Sequence, residues 1–177
     1  MGKYSGPNPV KEVKLLKEPK GRLRYLDQEE EANLLRHARE PLRIVILVGT
    51  NAGLRIQAEA LTLKWEDVDF RRGLLTVKAA YAKSGEGRAV NLNSILKAAL
   101  KQLKDRSLGE YVFSKPDGSP YKSIRSAFKT ACKHAKLSGV TPHTLRHTLA
   151  SRLAMAGVDL RTIQELGGWK ELEMLPQ

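Results

Sequence analysis

His143 and Arg146 lie three residues apart in the stretch TPHTLRHT, directly after a Thr-Pro pair. Thr141 reads as a helix N-cap and Pro142 as the first helical residue, where a missing N–H costs nothing. The spacing therefore predicts a helix that opens with an imidazole and a guanidinium on its first turns. Amides at a helix N-terminus already favour phosphate, and a guanidinium adds a forked, charge-assisted donor, so this end could be a place where a phosphate is bound and attacked. The competing reading is a core histidine beside a surface arginine, a common pairing in helices. Leu145, Leu149, Leu153 and Ala156 recur at helical spacing and are expected to face inward, with Gly157 as a C-cap. His143 and His147, at i and i+4, also match two metal ligands on one helix face. The intervening residues offer no carboxylate and no third ligand is evident, so neither metal nor cofactor is expected.

The whole chain narrows the kind of phosphate. Its 177 residues suffice for one well-packed domain. Thirty-one Lys and Arg against 19 Asp and Glu leave a formal charge of +12, spread along the sequence and not gathered in a tail. A folded basic face meeting the backbone of double-stranded DNA is the leading expectation, and a membrane surface the weaker one. The best apolar run, Ile44 to Val48, is far too short to span a bilayer, and the N-terminus has no signal-peptide core, so a cytoplasmic protein is expected. The single cysteine, Cys132, reads as a core residue.

The elements that would position these groups can be read in order. Residues 1–24 mix Gly and Pro with Lys and Glu and read as a linker or extended arm, leaving a domain over 25–177. Asp27 and Glu30 form a capping-box start, and Leu34, Leu35 and Ala38 give a helical face ending before Pro41. A second helix is predicted over 42–50, broken at Asn51-Ala52-Gly53, and a third over 54–63. From Gly73 the period changes to two: 74–77 and 88–92 read as strands of a hairpin whose loop carries Lys83 and Arg88. Ser94 is expected to cap a helix through Lys104, 111–113 to form a short strand, Pro116-Asp117-Gly118 a turn, and 123–137 a helix. The fold class is therefore α+β, mainly α, with a small antiparallel sheet on a helical bundle.

Four motifs in series, NAGLRIQAEALTLKWEDVDF, AKSGEGRAVNL, TPHTLRHT and LGGWKELEM, make the chain resemble the catalytic domain of the tyrosine recombinase (phage integrase) family. The resemblance implies that Arg55 and Arg146 clamp the non-bridging oxygens of a phosphodiester, stabilising the charge that builds up during displacement. It further implies Lys83 as the acid protonating the departing 5′ oxygen, His143 as an aid to proton transfer, and Trp169 as a donor at a position often held by histidine. Arg88 is expected to contact DNA and His147 to be structural. The implied chemistry is site-specific strand breakage and rejoining through a 3′-phosphotyrosyl intermediate, without metal or external energy, in an assembly that is tetrameric on DNA.

Two departures stand out. The family usually places an acidic residue three positions after the first arginine; here that position is Ala58, and Glu59 follows one later. The family tyrosine follows the His/Trp position by about nine residues, whereas Tyr4, Tyr25, Tyr81, Tyr111 and Tyr121 all precede His143. The expectation is a catalytic-domain fragment, monomeric and unable to cleave on its own. The alternative is a naturally shortened, non-catalytic DNA-binding relative that regulates or competes with a full-length recombinase.

Overall fold

The computed structural model describes residues 23–82 and 85–169. Helix α1, Gln28–His37, opens on the expected capping box: Asp27 accepts the Glu30 N–H at 2.8 Å, and Glu30 accepts the Asp27 N–H at 3.3 Å. Helix α2, Leu42–Ala52, is apolar nearly all round because it runs through the centre of the domain, with Val45, Ile46 and Val48 fully buried. It stops at Gly53, whose φ of 63° is the left-handed conformation a C-terminal glycine supplies at no steric cost.

A three-stranded antiparallel sheet in the order β1-β2-β3 follows: β1 Val68–Asp69, β2 Leu74–Val77 and β3 Arg88–Asn91. The pairing Val77↔Arg88 sets Arg88 at the end of the hairpin nearest its loop. Helix α3, Ser94–Lys104, is capped by Asn93, which accepts the Leu96 N–H at 2.9 Å, so the cap lies one residue before the expected Ser94. Helix α4, Arg125–His134, is shorter at both ends than its composition suggested. Lys64 and Tyr111 form an isolated bridge where a strand over 111–113 was expected.

Helix α5, Pro142–Met155, begins at the predicted Thr141 and lies against α2. The close approach needs Gly49: a Cβ there would come within 2.7 Å of the Leu145 Cβ. Helix α6, Leu160–Gly167, is capped by Asp159 and ends at Gly168 in the left-handed conformation. The main core joins Leu34, Val45, Leu54, Leu75, Leu96, Phe113 and Leu145, while Ala150, Ile163 and Trp169 form a separate cluster that seats α6 on α5. This mainly helical architecture with one small sheet agrees with the expected fold class. None of the described helices is long and apolar enough to cross a membrane.

The inward stripe on α5 differs from expectation. Leu145 is buried, yet Leu149 and Leu153 are half-buried and Ala156 is exposed. Arg146, expected at the exposed end, retains only 4% exposure. The reason is tertiary: Thr144, Thr148 and Ser151 share the buried face of α5 with Leu145 and Ala150, and Thr148 Oγ1 accepts the Leu26 N–H at 2.9 Å.

Candidate active site

Gly53 turns the chain out of α2 and aims its carbonyl at α5, where it accepts from Arg146 Nη1 at 2.7 Å. Leu54 is then buried, and Arg55 follows at the mouth of the next turn. That turn is where a helix over 54–63 was expected, and it is instead one π-helical turn, Ile56–Ala60. Its hydrogen bonds run from Ala60 N to Arg55 O and from Leu61 N to Ile56 O, each at 3.0 Å. Such a turn holds one more residue than an α-helical turn. The extra residue absorbs the one-position shift of the carboxylate, bringing Glu59 to the interior face while Ala58 lines the adjacent cleft.

Glu59 is completely enclosed and accepts four hydrogen bonds. Oε1 receives Arg55 Nη1 at 2.8 Å and Arg88 Nη1 at 3.1 Å; Oε2 receives the Arg55 backbone N–H at 2.9 Å and Arg88 Nη2 at 2.8 Å. Burial pushes its carboxyl upward, but the Arg88 fork, the Arg55 amide and the two positive charges together outweigh burial and hold it below its ordinary range. Arg88, expected to contact DNA, therefore has its guanidinium committed inside the protein. Its Nε also donates to Leu166 O at 3.1 Å, and the side chain is 11% exposed.

The end of α6 completes the arrangement. Gly168 O accepts from Arg55 Nη2 at 3.0 Å. The next residue, Trp169, lays its ring beneath Arg146, with the guanidinium carbon 4.0 Å from the ring centroid. The Trp169 ring also occupies the space where any Gly167 side chain would begin, at 1.5 Å from an ideal Cβ, so Gly167 is a packing requirement of this stack.

Arg146 is the least compensated group. Burial first, and repulsion from Arg55 next, lower its proton affinity to about 9, with Glu59 acting in the opposite direction. A guanidinium remains protonated at neutral pH all the same. Its Nη2 is buried without a hydrogen-bond partner among the described residues. Arg55, His143 and Arg146 open onto one cleft of about 910 Å³ between the π turn, α4 and the start of α5. Its walls combine apolar Ile56, Phe128, Leu137 and Val140 with Arg125, Lys129 and Lys133, which lie one turn apart along α4. Cys132 also lines it, with its thiol raised by burial, in keeping with an unreactive near-core residue.

Four of the five residues singled out for chemistry thus meet at one place: Arg55, His143 and Arg146 at the cleft, and Trp169 stacked on Arg146. Lys83 lies outside the described residues. His147 is half-buried and lowered by burial first, then by His143 and Arg146, and its Nδ1 has no partner among the described residues. No cluster of three or more His, Cys, Asp or Glu suited to a metal occurs among the described residues. The sequence contained a signal for Glu59, the carboxylate one place late, but none for Arg88 as its partner, because that contact crosses from the hairpin.

The family model of the phage integrase family matches residues 24–177. The chain belongs to that family. It is 31% identical over 166 residues to the integrase of Salmonella phage P22, covering 87% of this chain and 43% of that one. The crystal structure of XerA recombinase superposes with a TM-score of 0.76 at 26% identity, over 88% of this chain and 59% of that one. A lambda integrase tetramer bound to a Holliday junction gives 0.70 at 25% identity, over 87% and 47%. The chain therefore spans roughly half the length of the proteins it matches, and its integrase-family domain accounts for both the motif order and the fold.

Proposed function

We propose that this domain binds double-stranded DNA at the cleft and supplies the catalytic pocket for site-specific strand breakage and rejoining through a 3′-phosphotyrosyl intermediate. The observation that carries the reading is Arg146: a buried cation beside Arg55 and His143, whose Nη2 has no hydrogen-bond partner among the described residues, is a donor set suited to an anion. A phosphodiester supplies that anion, and both guanidiniums can meet the oxygens on which charge accumulates. Arg55 and Arg146 form the clamp, and His143 assists proton transfer to or from the nucleophile. Trp169 packs under Arg146 and donates its indole N–H towards the phosphate, while Lys83 protonates the leaving 5′ oxygen. The basic row on α4 draws duplex towards the clamp. The related lambda integrase is a tetramer on its junction DNA; the parent assembly is proposed to be tetrameric on DNA in the same way, with this domain monomeric in solution.

All five tyrosines of the 177 residues precede His143, whereas the proposed intermediate needs a tyrosine in line with the phosphate. Two measurements test the reading. Affinity for a labelled duplex should fall steeply as salt rises, because contacts to phosphate release counterions. A nicked suicide duplex should yield no covalent adduct with the 177 residues on a denaturing gel, and should yield one when the chain is continued by a segment bearing a tyrosine. An adduct formed by the 177 residues alone would show the nucleophile to be one of the five tyrosines before His143. Salt-independent affinity would remove phosphate contact as the basis of binding.

A further inference from the structure

Arg88 lies at the junction of three elements that the motifs treat separately. Through β3 it belongs to the hairpin formed with β2. Through Nη1 and Nη2 it grips both oxygens of Glu59 on the π turn, and through Nε it holds Leu166 O at the end of α6. Its fit is close on the third side as well, since a Cβ on Gly168 would come within 3.1 Å of Arg88 Nη1.

This geometry constrains Arg55. Glu59 has two oxygens, and an unopposed arginine facing them would settle into a two-pronged pair. In the structure Arg55 gives Glu59 only one side-chain donor, Nη1, and sends Nη2 to Gly168 O. Both carboxylate oxygens are held by the Arg88 fork, and Oε2 also accepts the Arg55 backbone N–H. We infer that Arg88 is a positioning residue: by holding Glu59 in both prongs it keeps Arg55 from closing onto that carboxylate and leaves the Arg55 guanidinium presented to the phosphate. The inference rests on the reading of the cleft as a phosphate site. It assigns Arg88 no contact with DNA, which is consistent with three of its donors being taken by protein acceptors.

A double-mutant cycle on duplex affinity tests it, using the 177-residue chain, a short labelled duplex at low salt, and Arg55→Ala, Arg88→Gln and their combination. Arg88→Gln is expected to weaken binding about tenfold in the wild-type background and to have no further effect on Arg55→Ala. Arg88→Lys keeps the charge but cannot span both oxygens. It should stay folded by circular dichroism and still weaken binding about threefold, a loss again absent when Arg55 is Ala. Additive effects of Arg88→Gln and Arg55→Ala would show that Arg88 touches DNA directly and would overturn the inference. So would Arg88→Lys binding as wild type, or Arg88→Gln lowering only the unfolding midpoint. If Arg55→Ala itself binds like wild type, the reading of the cleft fails first and takes the inference with it, an outcome distinct from the others.

Discussion

Replacing Arg146 by Met is expected to weaken duplex binding by at least about tenfold, roughly 1.4 kcal/mol or more, while leaving the fold as stable as before or more so. The two effects have opposite signs because the free protein carries the cost of this cation. Arg146 is enclosed and stacked on Trp169, and its Nη1 donates to Gly53 O. Its second terminal nitrogen has no partner among the described residues. A buried, unsatisfied polar group costs about 1–3 kcal/mol, and an apolar side chain of similar volume removes that cost at Nη2 while preserving contact with the indole, which offsets the loss of the bond to Gly53 O. Phosphate would repay the same cost on binding. Equilibrium urea unfolding and duplex anisotropy, run on one preparation, read both quantities. A Met variant that unfolds markedly earlier but binds duplex unchanged would show Arg146 to be a structural residue.

Glu59→Ala should be among the most destabilising single changes in the domain, costing about 3–5 kcal/mol of a total stability on the order of 5–15 kcal/mol. The carboxylate neutralises two arginines inside the fold and receives four hydrogen bonds; its removal leaves Arg55 and Arg88 facing each other without an anion. The pH dependence follows from the direction of its shift. Because Glu59 is held below the ordinary carboxylate range, the stability it contributes is fully present above that range. It is lost as pH falls through the lowered folded value. Wild type and Glu59→Ala should therefore differ most near neutral pH and converge in acid. Unfolding midpoints measured from neutral to strongly acidic pH check this, and a gap that stayed constant down the series would mean that the charge of Glu59 is not the source of its effect.

Local chemistry made much of this domain readable. The Asp27/Glu30 capping box, the left-handed Gly53 after α2, the hairpin strands and the Thr141-Pro142 helix start are each specified by a few neighbouring residues, and each occurs close to where those residues place it. What escaped the sequence depends on distant partners. Arg146 reads as exposed in TPHTLRHT because its acceptor, Gly53 O, is 93 residues away and its stacking partner follows α6. Glu59 reads as one place out of register because a periodicity of 3.6 cannot anticipate a π turn. Arg88 reads as a solvent-facing hairpin arginine, since nothing in an alternating strand announces a carboxylate 29 residues earlier. At the site itself, residue types were legible from motif order, whereas the division of labour between the arginines required the fold.

The central claim is that Arg55 and Arg146 are the groups that meet DNA phosphate, and the side-chain Nε–H resonances of the arginines report on it directly. In a titration of ¹⁵N-labelled protein with a short duplex, the signals of Arg55 and Arg146 should shift together and saturate with the binding curve, while that of Arg88 should keep its position. Binding that moved only the α4 side chains Arg125, Lys129 and Lys133, with Arg55 and Arg146 unmoved at saturation, would contradict the assignment of the cleft as the phosphate site.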